Sequence, residues 1–185
     1  MTTLRLANPA DFVAIAALTN HYITTTTIHF GYEPVTAAEL ARQHDEHAAL
    51  YPWLVADAAG VVVGYAKAGG FRSRPAYRWC TETGIYLQPA HCGRGLGRQL
   101  YARLLAVLRA QGFHAAIGGI ALPNPASVRL HEALGFRQVG VVARAGRKFE
   151  RWHDLGFWQL LLRPADHAPT PLLPPALGFA ASAGD

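Results

Sequence analysis

A glycine-rich turn, Cys92-Gly93-Arg94-Gly95-Leu96-Gly97, constrains this chain more than any other stretch. An apolar, β-prone segment at 84–87 precedes the turn, and residues 98–111 follow it with leucines at helical spacing. The turn therefore joins a strand to the N-terminus of a helix. At such a junction several backbone N–H groups lack partners, and the helix dipole adds partial positive charge. The pattern predicts a binding site for a phosphate or a pyrophosphate.

Two common nucleotide-binding motifs do not fit this turn. The Rossmann fingerprint requires a third glycine three residues after the second, where Leu100 stands, and an acidic residue about 20 positions further on. The P-loop requires Gly-Lys-Ser/Thr, whereas Gly97 is followed by Arg98 and Gln99. An ordinary tight turn also uses glycines for positive φ. The sequence around the turn is therefore needed to distinguish a phosphate-binding site from such a turn.

Composition limits the class of protein. The 185 residues are 51% hydrophobic and 16% charged, which excludes a disordered chain and predicts one domain over residues 1–163. Residues 164–185 are rich in Pro and Ala, which predicts a flexible tail; docking on the domain is the alternative. The net charge of +5 suits an anionic ligand. We expect no nucleic-acid partner, because the arginines are scattered and no basic run is interleaved with aromatic residues.

Signals for a metal, a disulfide or a membrane are weak. Two cysteines do not make a disulfide framework, and the nine histidines form no convincing ligand pair, so we expect no metal. The N-terminus has no apolar secretory segment, and no apolar run reaches transmembrane length. We therefore expect a cytoplasmic protein without a membrane partner.

Turn and capping signals divide the chain into strands and helices. Asn8-Pro9 opens one helix, the capping box of Thr36 with Glu39 opens a second to about Ala49, and 58–60 marks a hairpin. The four threonines at 24–27 predict a loop, and the basic cluster at 144–151 predicts a solvent-exposed hairpin. Strands predicted at 3–7, 53–57, 61–68, 81–87, 115–122, 139–145 and 157–162 indicate a mixed sheet in an α/β fold.

The order of these elements resembles the GNAT acetyltransferase superfamily. It runs strand, Arg-Gly-x-Gly turn, long helix, strand, and an Asn-x-x-Ser helix that ends in Leu134-Gly135-Phe136. Cys92 departs from the family, which usually has Gln or Arg at that position. Further segments resemble the phosphinothricin N-acetyltransferase branch, in the family's order over roughly residues 3–163. They are Asn20-His21-Tyr22-Ile23, Tyr51-Pro52-Trp53-Leu54-Val55-Ala56, Ala76-Tyr77-x-Trp79, Leu122-Pro123-Asn124, Val128-Arg129-x-His131-Glu132-Ala133-Leu134-Gly135 and Trp152-His153-Asp154-x-Gly156-Phe157-Trp158-Gln159-Leu160.

The resemblance implies a fold and a co-substrate. The expected architecture is the GNAT fold, a single α/β domain with a mixed, centrally splayed β-sheet flanked by helices. The expected co-substrate is acetyl-CoA, with its pyrophosphate on the turn amides and its pantetheine arm on the backbone of Ile85, Tyr86 and Leu87. The Leu87 N–H is the implied oxyanion donor. The other residues expected to contact the coenzyme are Gly93, Arg94, Gly95, Leu96, Gly97, Arg98, Asn124 and Ser127.

Two residues are candidates for the proton transfers that acetylation of an amine requires. The resemblance implies that Glu82 is the general base, directly or through water; an ion pair with an arginine of residues 72–78 is the alternative. His131 stands where most GNAT proteins have a tyrosine thought to protonate the coenzyme A thiolate, so it is the acid candidate. It can also act as the base. The structural alternatives are a buried histidine that covers the sheet and, for Asn124, a plain N-cap.

The polar loop at 71–79 is the candidate substrate site. Arg72 and Arg74 are suited to charge-assisted hydrogen bonds with a carboxylate or phosphinate, and Tyr77 and Phe30 are suited to wall a side-chain pocket. The alternative is that residues 71–79 form an exposed loop that binds no ligand, since such a loop has the same composition.

The resemblance predicts an acetyl-CoA-dependent N-acetyltransferase that forms a homodimer. Its expected substrate is the α-amine of phosphinothricin, of methionine sulfoximine or sulfone, or of a related small amino acid. Two alternatives stay open: an N-acetyltransferase for another amine, such as a polyamine or a protein N-terminus, and a non-catalytic acyl-CoA-binding module. The basic loop at 71–79 disfavours a polyamine, which would require acidic residues.

Overall fold

The computed structural model describes residues 2–164 and 166–177. The strands are β1 Thr2–Leu6, β2 Trp53–Ala58, β3 Val61–Gly70, β4 Cys80–Leu87, β5 Ala115–Leu122, β6 Arg137–Lys148 and β7 Arg151–Leu161. The helices are α1 Phe12–Thr25, α2 Ala37–Asp45, α3 Leu96–Gln111 and α4 Pro125–Ala133. None of the helices described is both long and apolar enough to span a membrane.

Within the part of the chain that the structure describes, one sheet of seven strands, in the order β1-β2-β3-β4-β5-β7-β6, organises the fold. Among the strands of the described residues, only β4 and β5 pair in parallel, and their pairing runs from Cys80 opposite Ala115 to Thr83 opposite Gly118. Beyond these residues the two strands separate, which leaves a gap in the middle of the sheet. The mixed, centrally splayed sheet expected from the sequence is confirmed.

Helices cover both faces of this sheet. On one face α3 presents its leucines at 100, 104, 105 and 108, which are at most 1% exposed. Burying each of these side chains stabilises the fold by about 1.5–3 kcal/mol. On the other face α1 and α2 pack Phe12, Ile15 and Leu40 against Trp53 and Tyr65. The sheet gap therefore lies between two packed layers.

The first two helices differ in length from the prediction. Thr24 and Thr25 belong to α1 rather than to a loop. The hydroxyls of Thr24, Thr25 and Thr26 donate to the carbonyls four residues earlier, at 2.8, 2.6 and 2.7 Å, so these polar side chains find partners on the helix itself. The capping box of Thr36 with Glu39 is confirmed, but α2 ends at Asp45, earlier than expected.

The basic cluster at 144–151 is only partly the exposed hairpin that the sequence predicts. Strands β6 and β7 run through it and meet at a turn whose residues Phe149 and Glu150 have φ of 47° and 60°. Arg144, Arg147 and Arg151 are exposed, but Lys148 is only 3% exposed. Its burial is a correction to the sequence-based interpretation.

The described part of the C-terminal tail packs against the domain. Leu173 N–H donates to the Gln111 carbonyl at 2.8 Å, and the Gln111 side-chain amide donates back to the Leu173 carbonyl at 2.8 Å. Trp79 Nε1 donates to the Thr170 carbonyl at 2.9 Å, and Leu172 packs against the α3 core. Residues 166–177 therefore form a docked strap, although their composition predicts flexibility; 178–185 lie outside the described residues.

Truncation tests this docking. We expect a chain that ends at Pro164 to lose about 2–4 kcal/mol of unfolding free energy, because the buried Gln111 loses partners and apolar contacts disappear. The control is a chain that ends at Leu177, and urea unfolding followed by circular dichroism compares the two. Equal stability of the two chains would show that residues 166–177 do not dock.

Candidate active site

The gap between β4 and β5 exposes unpaired backbone on β4. Gln88 N–H donates to the Val63 carbonyl at 2.8 Å, and the hydrogen-bonding direction alternates along an antiparallel strand. The main-chain groups of Ile85 and Leu87 therefore point away from β3 and into the gap. The Leu87 carbonyl accepts a hydrogen bond of 2.6 Å from the Tyr22 hydroxyl. The N–H of Leu87 remains directed into the gap, as the role predicted for it requires.

The glycine turn lies at the end of this gap. Gly93 and Gly95 have φ of 72° and 82°, in the left-handed region that favours glycine, and Gly95 is the N-cap of α3. A glycine N-cap offers no side-chain acceptor, so the first N–H groups of α3 are available to an anion. Gly97 allows α3 to approach β4, because an added Cβ would lie 3.1 Å from Leu87 Cδ1. Arg94 and Arg98 are exposed beside these amides.

A small cavity of about 50 Å³ occupies the gap. Ile28 closes it from the loop after α1, and Asn124, Ser127 and His131 line it from α4. Asn124 Oδ1 accepts the Ser127 N–H at 3.1 Å, so Asn124 caps α4 and also lines the cavity. The remaining lining residues belong to the separating strands: Thr83, Gly84, Ile85, Tyr86, Gly119, Ile120 and Ala121.

Glu82 and His131 lie on opposite faces of the sheet, next to this cavity. An added Cβ on Gly118 would lie 2.5 Å from His131 Nε2, whereas one on Gly119 would lie 3.4 Å from Glu82 Oε1. Adjacent residues of a strand face opposite sides, so the two glycines make room for one candidate each. The structure thus brings both predicted catalytic residues to the gap, one from each side.

His131 is held by hydrogen bonds at both ring nitrogens. Nδ1 lies 2.8 Å from the Ser127 carbonyl, which only accepts, so Nδ1 carries the proton. Nε2 therefore accepts from the Tyr101 hydroxyl at 3.0 Å, and that hydroxyl is 2.7 Å from Thr83 Oγ1. Burial lowers the His131 pKa, partly offset by the bond to Ser127, and burial raises the Tyr101 pKa. The imidazole is consequently neutral near pH 7 in this arrangement.

Glu82 is accessible to solvent but partly enclosed. This partial burial raises the pKa of its carboxyl, and the positive charges of Lys67 and Arg72 oppose that rise. Lys67 lies on the neighbouring strand with its ammonium 4.7 Å from the Trp53 ring centre, and its own pKa is lowered by burial. A carboxylate with a raised pKa beside a cavity is suited to accept a proton.

The other residues that the sequence predicts for the site are spread over several parts of the structure. Tyr86 is enclosed on the α1 side and stacks on Tyr65, with ring centres 5.2 Å apart; burial raises its pKa to about 12. Phe30 packs beside Gly146 on β6. Arg72 and Arg74 are exposed, and Arg74 precedes a 3-10 turn. Tyr77 lines a separate cavity of about 330 Å³ with Trp79, Cys80 and His167.

Several residues of this site were not predicted from the sequence. Tyr101 was hidden among the leucines of α3, although a buried tyrosine usually has a hydroxyl partner. The adjacent glycines Gly118 and Gly119 inside a strand are a signal of close approach that was available. Nothing in the sequence of β3 indicates that Lys67 lies near Glu82. Within residues 2–164 and 166–177, no group of three or more His, Cys, Asp or Glu side chains could hold a metal ion.

Comparison with known proteins assigns the family. The family described as "Acetyltransferase (GNAT) domain" matches residues 4–156. The chain belongs to the GNAT acetyltransferase family. It is therefore an enzyme, and the alternative of a non-catalytic binding module is set aside.

This GNAT acetyltransferase has relatives with named substrates. A phosphinothricin N-acetyltransferase of Streptomyces viridochromogenes is 46% identical over 156 residues, which cover 84% of this chain and 85% of the relative. An L-methionine sulfoximine/L-methionine sulfone acetyltransferase of Salmonella typhimurium is 41% identical over 161 residues, covering 86% and 94%. A phosphinothricin acetyltransferase of Sinorhizobium meliloti, solved in complex with AcCoA, superposes with a TM-score of 0.87 at 36% identity, covering 91% of this chain and 93% of that one.

Gly118→Ala tests the placement of His131 in this GNAT acetyltransferase. The added methyl would lie 2.5 Å from Nε2 and 2.6 Å from Cδ2, so the imidazole must move. We expect kcat for acetyl transfer to fall about 10²-fold, the scale of a displacement of about 1 Å in an active site. The control is Gly140→Ala, where an added Cβ meets nothing within 4 Å. If both variants kept the wild-type kcat, the position of His131 would not matter for transfer.

Proposed function

We propose that the protein is an acetyl-CoA-dependent N-acetyltransferase that acetylates the α-amine of phosphinothricin, of methionine sulfoximine or sulfone, or of a related small amino acid. One observation supports this proposal above the others. A gap in the sheet ends at a phosphate-binding turn and has Glu82 and His131 on its two faces. Relatives that share most of the chain are named for these substrates.

The coenzyme fits the backbone of the gap. The pyrophosphate binds the N–H groups of the turn at 93–97, with Arg94 and Arg98 adding positive charge. The pantetheine arm extends β4 on its open side through the main chain of Ile85 and Leu87. This arrangement brings the thioester to the cavity between the strands, and its carbonyl oxygen accepts from the Leu87 N–H as negative charge develops.

Glu82 removes the proton from the amine. The amine reaches the thioester from the face of the sheet on which Glu82 lies, and the carboxylate accepts the proton directly or through one water. The nitrogen attacks the thioester carbon as a neutral amine, and its surplus proton passes to Glu82 as the C–N bond forms. The C–S bond breaks with its electron pair leaving on sulfur, without a covalent enzyme intermediate. The raised pKa of Glu82 makes it a better proton acceptor than an ordinary glutamate.

The cluster of Thr83, Tyr101 and His131 faces the leaving thiolate. Its hydroxyls lie on the α3 face, where the coenzyme binds, and Tyr101 already donates toward His131 Nε2. The cluster supplies a proton or a strong hydrogen bond to the sulfur as it departs. Because Nε2 of the neutral His131 accepts a hydrogen bond, the hydroxyl protons of the cluster belong to Thr83 and Tyr101, and His131 orients the Tyr101 hydroxyl.

The substrate is an amino acid rather than a polyamine. Arg72 lies close enough to Glu82 to lower the pKa of its carboxyl and is exposed, so it is available to bind a carboxylate or phosphinate. Arg74 is the further substrate-binding candidate on this loop. Tyr77 and Phe30, also predicted for this role, lie in the separate cavity and beside Gly146, so their part in substrate binding stays a prediction from the sequence. A basic loop repels polyamines, which carry several positive charges.

The oligomeric state and location predicted from the sequence remain proposals. The edge strand β6 exposes Val139, Val141 and Val142, which are 48–56% exposed, and Trp152 on β7 is 59% exposed. An apolar edge of this kind favours the predicted homodimer. The predicted cytoplasmic location, and the predicted absence of nucleic-acid and membrane partners, stay predictions.

Thiol release from acetyl-CoA tests the proposed function. The amine panel holds L-phosphinothricin, methionine sulfone, methionine sulfoximine, the common amino acids and spermidine. We expect saturable turnover on an amino acid. Turnover on spermidine alone would indicate a polyamine acetyltransferase instead. No turnover with any amine would contradict the proposed function.

The pH profile of the same reaction tests Glu82. A base works only when deprotonated, so kcat/KM must fall as the pH drops through the Glu82 pKa, which lies above that of an ordinary glutamate. We expect Glu82→Gln to lower kcat/KM about 10²–10⁴-fold, to abolish this acid limb and to keep acetyl-CoA binding. The matched control is Glu46→Gln, an exposed glutamate that follows the last residue of α2 and pairs with Arg42. A Glu82→Gln profile that kept the limb would assign the base elsewhere.

A further inference from the structure

Lys148 is a buried lysine that the proposed chemistry does not use. It stands at the end of β6 and is 3% exposed, whereas Arg147 beside it is exposed and pairs with Glu150. Among the described residues, no carboxylate lies within ion-pair distance of the Lys148 ammonium. A lysine is rarely buried without an ionic partner, so its hydrogen bonds must compensate for lost hydration.

The ammonium binds two carbonyls that lie on either side of the end of α1. It donates to the Ile23 carbonyl in the last turn of α1, and to the His29 carbonyl at 2.6 Å. The last carbonyls of a helix lack intrahelical partners and carry partial negative charge, so a cation is favoured there. Lys148 therefore joins the end of α1 to the loop that follows it.

This loop, residues 26–36 between α1 and α2, borders the reaction gap. Ile28 lines the gap cavity, and the His29 ring centre lies 6.1 Å from that of Tyr86. The loop also contacts the β6–β7 hairpin at two other points: Phe30 packs beside Gly146, and the Tyr32 hydroxyl donates to the Arg147 carbonyl. Lys148 is the buried, charged contact among these.

We propose that Lys148 is a positioning residue that fixes the α1–α2 loop against the β6–β7 hairpin and so sets the affinity for the amine substrate. This inference rests on the proposed function for its kinetic part. Lys148 acts through Ile28, which lines the gap cavity, and through His29, which packs on Tyr86 on the face of the sheet that holds Glu82. Neither residue belongs to the turn that binds the coenzyme. Its loss should therefore weaken amine binding and leave acetyl-CoA binding unchanged.

The test compares Lys148→Met with Arg147→Met, which removes an exposed charge from the neighbouring position. In Lys148→Met we expect amide hydrogen exchange at residues 24–30 to rise about tenfold, because two carbonyls lose their donor. We expect KM for L-phosphinothricin to rise about tenfold and KM for acetyl-CoA to change less than about threefold. Lys148→Arg keeps a donor for both carbonyls and should lie nearer to wild type in both measurements.

Several results would overturn the inference. The first is unchanged hydrogen exchange at residues 24–30 in Lys148→Met. The second is exchange in Lys148→Met that rises equally over the whole chain. The third is the same KM for the amine in Lys148→Met and Arg147→Met. Hydrogen exchange does not depend on turnover. If the wild-type protein acetylated no amine, the proposed function would fail while the exchange data still decided whether Lys148 anchors the loop.

Discussion

The separation of β4 from β5 after Thr83 and Gly118 is the constraint on which the rest of this molecule depends. Pairing two strands only part of the way leaves main-chain donors and acceptors of Ile85 and Leu87 without a neighbouring strand. Unpaired backbone groups inside a sheet are costly unless a ligand or water satisfies them. The coenzyme arm supplies such partners in the proposed complex, so the same feature that opens the sheet creates the binding site.

Packing on the two faces of the sheet gives each side of the gap a different chemistry. The α3 and α4 side holds a neutral histidine in a closed chain of hydrogen bonds with Tyr101 and Thr83. The α1 side holds Glu82, a solvent-accessible carboxylate near two cations. Glycines at 118 and 119 allow both to approach the same point. The proton donor and the proton acceptor therefore lie on opposite faces of the sheet, and a substrate bound in the gap contacts both.

Much of this could be predicted from the sequence, since local signals determine local structure. The glycine turn, the capping box of Thr36 with Glu39 and the Ala59-Gly60 hairpin follow from backbone preferences and are seen in the structure. Contacts between distant segments have no such local signal. Nothing near Lys148 shows that its ammonium meets the end of α1, and the Pro- and Ala-rich strap shows no pattern that predicts its bonds to Gln111. The pairing of Tyr101 with His131 likewise depends on the packing of two helices.

A crystal structure of the protein with coenzyme A and N-acetyl-L-phosphinothricin tests the central claim most directly. The account predicts the pyrophosphate on the N–H groups of 93–97 and the acetyl carbonyl in the gap beyond Thr83 and Gly118. It also predicts the amide nitrogen on the Glu82 face of the sheet and the sulfur on the His131 face. A product bound outside the gap, or a nitrogen and a sulfur on the same face, would contradict it.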